Sequence, residues 1–196
     1  MIKRRIVLAS SSPRRQELLS KVGLEFEIIP AEFDESAVCG PPDQVVKALA
    51  LEKASEVAKK VGHGRDALVI GADTIVYVDG KILGKPSDDR EAALMLGMIS
   101  GRTHVVYTGI AIVDTVTGKT LVECEESRVH IRDLAPGEID AYVRTGEPGD
   151  KAGAYAVQGV GSVIVDRIEG CYFNVVGLPM SRLALMLKEF GVTILG

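Results

Sequence analysis

Residues 67–78, Ala-Leu-Val-Ile-Gly-Ala-Asp-Thr-Ile-Val-Tyr-Val, are an almost unbroken apolar run that ends at Asp79-Gly80. A run of this length and composition reads as a β-strand buried along its course, and other elements have to cover it. Asp73 interrupts it. A carboxylate in such a strand costs several kcal/mol unless it is paired, hydrogen-bonded or metal-bound. Three roles are open to it: a catalytic base, a Mg²⁺ ligand, or a structural hydrogen-bonded acid.

The neighbouring elements follow from periodicity and breakers. Residues 5–9 (RIVLA) read as a short buried strand. Ser12 is an N-cap and Pro13 an N1 residue for a helix that Gly23 ends. Residues 24–29 alternate like a strand. Asp43 to Val61 is the longest helical pattern, with Val46, Ala50, Ala54, Val57 and Val61 on one face and Gly62 as its stop. Asp79-Gly80 is a hairpin signal. Ser87 caps a helix to about Ile99, and residues 103–113 and 120–131 are long strands joined at Thr117-Gly118. A short helix runs from Pro136 toward Gly146, and a glycine-rich stretch fills 146–161. Strands are expected near 162–168 and 171–176, and Pro179 opens a last helix to about Phe190. Strands joined by hairpins, with helices interspersed, predict an α/β fold on a mixed sheet. The 196 residues carry no linker, composition shift or repeat, so one domain over 1–196 is expected, at most two-lobed.

Composition excludes several classes. The chain is 46% hydrophobic and 26% charged, which is the make-up of a folded protein. A net charge of −4, 5% aromatics and no Trp argue against a nucleic-acid polymer as partner. The apolar run Ile6–Ala9 behind Met1–Arg5 is too short for a signal sequence, and no stretch approaches the 18 apolar residues of a membrane span. Cys39, Cys124 and Cys171 are odd in number and form no CxxC, as expected for reduced thiols in the cytoplasm. His63, His104 and His130 lack metal-ligand spacing. Gly118-Lys119-Thr120 lacks the upstream glycine of a P-loop, and Gly159-Val160-Gly161 the third glycine of a dinucleotide fingerprint.

The charges that remain form a set suited to a polyphosphate. Ser10-Ser-Ser-Pro-Arg-Arg15 puts hydroxyls in a turn and two arginines in the first turn of a helix. Unpaired N–H groups and the partial positive charge of a helix start favour phosphate, and Arg forks match its oxygens. The same residues also fit an ordinary capped helix with solvated arginines. Lys53 lies within or beside the apolar stripe of its helix and must snorkel or face an anion. Lys85-Pro86 follows the hairpin, and Asp150-Lys151 opens the glycine-rich loop. The cations are then Arg14, Arg15, Lys53, Lys85 and Lys151, and the carboxylates Glu35, Asp73 and Asp150. Magnesium needs one or two carboxylates beside phosphate oxygens.

The segments LASSSPRRQELL (8–19), IGADTIV (70–76), LGKP (83–86), SGRTH (100–104), GDKAGAYAVQG (149–159) and VVGLP (175–179) resemble, in order and over nearly the whole chain, those of the Maf family. These are nucleoside triphosphate pyrophosphatases, once described as septum formation inhibitors. The resemblance implies a long curved mixed sheet with flanking helices and two lobes around a cleft, related to inosine triphosphate pyrophosphatases. It implies Asp73 as catalytic base and metal partner, and Ser10, Arg14, Arg15, Lys53 and Lys85 as phosphate contacts. Glu35 is implied as a metal-side acid, with Asp150 and Lys151 in support. Arg14, Thr74 and Gln158 match the positions tied to base choice in the dTTP/UTP branch, although that branch commonly has Gly-Ile where this chain has Ala156-Val157. The implied reaction, dependent on Mg²⁺ or Mn²⁺, takes dTTP, UTP and modified pyrimidine triphosphates to the monophosphate and pyrophosphate. Two alternatives stay open: a 7-methyl-GTP pyrophosphatase of the same family, and a non-catalytic nucleotide-binding regulator of cell division. A cytoplasmic protein is expected, with a nucleoside triphosphate as its partner, no membrane, and a homodimer left open.

Overall fold

The computed structural model describes residues 4–32, 38–62 and 64–195. In chain order the elements are β1 (Arg5–Leu8), α1 (Pro13–Lys21), β2 (Glu27–Ile28), α2 (Pro42–Val61), β3 (Ala67–Val78), β4 (Lys81–Leu83) and α3 (Asp89–Ile99). Then come β5 (Thr103–Asp114), β6 (Thr120–Ile131), α4 (Pro136–Val143), β7 (Val165–Gly170), α5 (Tyr172–Val176) and α6 (Met180–Lys188), with short 3₁₀ segments between 147 and 163. The strands form a seven-stranded sheet in the order β2-β1-β3-β5-β6-β7, with β4 added to β3. It is mixed: β1 is parallel to β2 and β3, while β4 on β3 and β7 on β6 are antiparallel. The expected α/β class on a mixed sheet with flanking helices is the one observed.

The chain divides into two compact units. The first holds Met1–Asp73, Thr108–Glu125 and Gly177–Gly196, and the second Thr74–Tyr107 and Glu126–Val176. In the first, Ala50, Ala54, Val57 and Val61 of α2 pack with Val7, Val69 and Ala111 of the strands. In the second, Leu96 and Ile99 of α3 pack with Val76, Val106, Val129 and Tyr155.

β3 covers the residues expected, and Asp79 and Gly80 both have positive φ, 48° and 80°, as a two-residue turn matched to strand twist requires. Other expectations need correction. The strand at 24–29 shrinks to Glu27–Ile28. Residues 172–176 are helical rather than extended. The cause is Ser127, whose hydroxyl donates to the Cys171 carbonyl and accepts from the Cys171 N–H and the buried Asn174 amide. That knot ends the β7 ladder at Gly170 and turns the chain. Ser12 makes no side-chain cap. At α3 the cap is Asp88, which accepts from the Glu91 N–H at 2.7 Å, while Ser87 donates its N–H and O–H to the Glu91 carboxylate.

His104 lies in the core of the second unit, 1% exposed, with Nε2 2.7 Å from the Tyr155 hydroxyl and the two rings edge to face. Burial, with a smaller contribution from His130, lowers its pKa from 6.5 to about 4. The unfolded chain therefore takes up a proton at His104 that the folded chain refuses. Stability falls as pH drops from about 6.5 toward 4, by up to about 3 kcal/mol. Asp114, held well below the usual carboxylate range by Arg4, loses its contribution only at lower pH. Urea titrations between pH 7 and 4.5 check this. His104→Gln should flatten the slope by about one proton, and equal slopes for both proteins would refute it.

Candidate active site

The first unit holds five of the expected residues, Ser10, Arg14, Arg15, Lys53 and Asp73. β1 continues parallel to β3 through the Ala9 N–H, which donates to Ile70 O at 2.8 Å, so the chain enters the 10–12 turn beside the middle of β3. Pro13 opens α1 there. Ser10 and Arg15 are buried. The Arg15 guanidinium donates through Nη1 to Ser10 Oγ at 3.1 Å and through Nε to the Gly177 carbonyl at 2.8 Å. Ser10 Oγ also accepts the Ser12 N–H at 3.3 Å. With two bonds accepted, the Ser10 proton is what that hydroxyl offers a ligand. Arg15, read from sequence as a phosphate contact, ties the turn to the VVGLP segment. Arg14, its neighbour on α1, is half-buried.

Lys53 and Asp73 meet directly. Lys53 Nζ donates to Asp73 Oδ1 at 2.6 Å, with the side chains 13% and 10% exposed. Close packing of α2 on β3 brings them together. A Cβ on Gly71 would lie 2.2 Å from the Ala50 carbonyl oxygen and 3.0 Å from Ala54 Cβ, so only glycine fits there. Gly71 is two residues before Asp73 on one face of β3, and Ala50 and Ala54 flank Lys53 on α2. Gly109 on β5 makes the same kind of approach, its Cβ position 2.1 Å from the Val46 carbonyl oxygen. The pair satisfies the requirement that a buried carboxylate and a buried ammonium compensate one another.

The other expected residues lie in the second unit or outside the described residues. Thr74, next to Asp73 on β3, is half-buried. Lys85 is exposed in the loop after β4, and the Gly153 N–H donates to the Gly84 carbonyl in that loop at 3.0 Å. Lys151 pairs with Asp150 and donates to the Glu147 carbonyl at 3.0 Å, so both are engaged within their own loop. Gln158 is half-buried with an extended backbone, φ −108° and ψ 168°. The left-handed alanine of this loop is Ala154, φ 59°, and Ala156 needs no positive φ. Glu35 and His63 lie outside the described residues. Among the described residues no group of three or more His, Cys, Asp or Glu side chains could hold a metal, and no helix is long and apolar enough to cross a membrane.

Glu147 and Tyr142 were not foreseen. The Glu147 carboxylate accepts from the Tyr142 hydroxyl and the Gly161 N–H, each at 2.7 Å, and from the Val160 N–H at 3.0 Å. An acid between Gly146 and Pro148 has no sequence spacing that links it to residues 13 and 14 positions later.

Comparison with known proteins gives the family of the chain and the fold it shares. The family described as "Maf-like protein" matches residues 5–190. A dTTP/UTP pyrophosphatase of Caldicellulosiruptor bescii is 53% identical over 190 residues, 96% of each chain. One of Thermoanaerobacter sp. strain X514 is 53% identical over 192 residues, covering 97% of this chain and all of its own. The solved structure of the Staphylococcus aureus Ham1 protein shares the fold, with a TM-score of 0.51 and 15% identity over 83% of this chain and 80% of that one. With a family match that starts at the first residue of β1 and runs past the end of α6, and full-length relatives identical at about half of their positions, the chain belongs to the Maf family.

Proposed function

We propose that this chain is a nucleoside triphosphate pyrophosphatase that converts dTTP and UTP to the monophosphate and pyrophosphate. The observation that carries the reading is the Lys53–Asp73 pair, an ammonium and a carboxylate 2.6 Å apart inside a strand–helix layer. The names of relatives about half identical to it support the substrate. In this reaction a water oxygen attacks the α-phosphorus and gives its proton to Asp73. The bond from the α-phosphorus to its bridging oxygen breaks, and the electron pair leaves with pyrophosphate. Ser10, Arg14 and Arg15 hold phosphate oxygens, Arg15 also steadying Ser10, and Lys53 and Lys85 offset the charge that develops on the leaving group. Asp150 and Lys151 support the loop that carries Gln158, and Arg14, Thr74 and Gln158 choose the base. An amide has a donor and an acceptor for adjacent groups on a uracil or thymine edge, a pattern that cytosine reverses.

A divalent cation, Mg²⁺ or Mn²⁺, belongs to this reading: magnesium needs one or two carboxylates besides phosphate oxygens and water, and the proposal assigns that part to Asp73, with Glu35, outside the described residues, as the second acid. When bound it would polarise phosphate oxygens and screen their charge. The enzyme would work in the cytoplasm, with the nucleotide as its partner.

Incubation with dTTP, UTP, CTP, GTP and 7-methyl-GTP and Mg²⁺, with pyrophosphate and orthophosphate assayed separately, tests the reading. Pyrophosphate from dTTP and UTP is expected. Nucleotide binding without turnover would instead make the chain a regulator, orthophosphate release would place cleavage at the wrong bond, and preference for 7-methyl-GTP would assign the other branch.

A further inference from the structure

We propose that Glu147, oriented by Tyr142, is the positioning residue that fixes Gln158 and thereby sets base discrimination. The inference rests on the reading of Gln158 as the base-selecting side chain. A side-chain amide distinguishes bases only if its backbone is held within about half an ångström, and Gln158 sits in a segment rich in glycine, which holds no conformation by itself.

The structure holds that segment from both sides of Gln158 with one carboxylate. After it, Glu147 Oε1 accepts the Val160 N–H at 3.0 Å and Oε2 accepts the Gly161 N–H at 2.7 Å. Before it, the Ala156 N–H donates to the Tyr142 hydroxyl oxygen at 3.0 Å, and that hydroxyl donates to Glu147 Oε2 at 2.7 Å. The ties therefore lie two residues before Gln158 and two and three after it. Gly159 shows how closely the loop is moulded on the acid. A Cβ there would lie 2.1 Å from Glu147 Oε1, and the residue has φ +67°. Glu147 is fixed in turn, its N–H donating to Thr145 Oγ1 at 3.2 Å and its carbonyl accepting from Lys151. Bonds from N–H and O–H donors to a carboxylate are the stronger, charge-assisted kind. His104, through Tyr155, adds an anchor three residues before Gln158.

The test measures kcat and KM for UTP, dTTP and CTP in wild type, Glu147→Gln, Tyr142→Phe, Gln158→Ala and the Glu147→Gln/Gln158→Ala double variant, with melting temperatures alongside. Each single variant should lower the UTP-to-CTP ratio of kcat/KM by about tenfold or more, the size of one lost charge-assisted bond. The loss should appear mainly in KM, because Asp73 and the water it activates are untouched. The double variant should show the same ratio as Gln158→Ala alone, because both changes act through one amide. If Gln158→Ala loses discrimination while Glu147→Gln and Tyr142→Phe keep the wild-type ratio, the positioning role is refuted and the reading of Gln158 survives. If Gln158→Ala itself keeps the ratio, that reading fails and the inference falls with it. Fully additive losses in the double variant would also overturn it, since Glu147 would then act by another route. Should Glu147→Gln not fold, Tyr142→Phe, which removes a single oxygen, decides the matter.

Discussion

Asp73→Asn should lower kcat for dTTP and UTP by about 10²–10⁴-fold, the usual effect of removing a general base, with the fold retained. The substitution keeps the volume of a side chain 10% exposed in the interior of β3. It also keeps an oxygen that can accept from Lys53, which now donates to Asp73 Oδ1 at 2.6 Å. What disappears is the negative charge to which the proposed mechanism gives the water's proton. Circular dichroism and the melting temperature check the fold, and single-turnover rates check the chemistry. Wild-type kcat in a folded Asp73→Asn protein would remove Asp73 from the reaction and leave the Lys53–Asp73 pair a structural one.

Lys53→Ala has two effects that Lys85→Ala separates. Under the proposed mechanism each removes a cation from the triphosphate, worth about 1.5–3 kcal/mol, or about 10–150-fold in kcat/KM. Nucleoside affinity should barely change, because neither lysine is assigned to the base. Lys53→Ala also strands the Asp73 carboxylate in a nearly buried setting, and breaking a buried pair from one side costs about 3–5 kcal/mol. Lys85 is exposed, so its loss should leave the melting temperature unchanged. Isothermal titration with nucleoside and with a non-hydrolysable triphosphate, beside thermal melts, measures both effects. Equal loss of nucleoside and triphosphate binding would mean that the lysines only support the structure.

Two residues of the candidate site stood out in the sequence because they break local rules. Asp73 stands out against an apolar strand and Lys53 against an apolar helix face, each a conflict that needs a partner. The sequence could not say that each is the other's partner. That pairing depends on how closely α2 lies on β3, which Gly71, Ala50 and Ala54 decide together from separate elements. The cap at α3 moved by one residue, from Ser87 to Asp88, because neighbouring residues offer competing acceptors and only the backbone path selects one.

By itself the sequence determined the long strand over 67–78 with its turn at Asp79-Gly80, the long helix ending at Val61, and the mixed α/β class. Those features rest on hydrophobic period, positive-φ turn residues and glycine stops, all written within a few residues of where they act. Tertiary structure alone decided that residues 172–176 coil rather than extend, that Arg15 turns inward to Ser10 and Gly177, and that Glu147 gathers the loop around Gln158. Each rests on a hydrogen bond between a side chain and a group distant in the chain, which for Arg15 is the Gly177 carbonyl. Nothing in local spacing encodes it, because its partner comes within reach only after the sheet and its helices have packed.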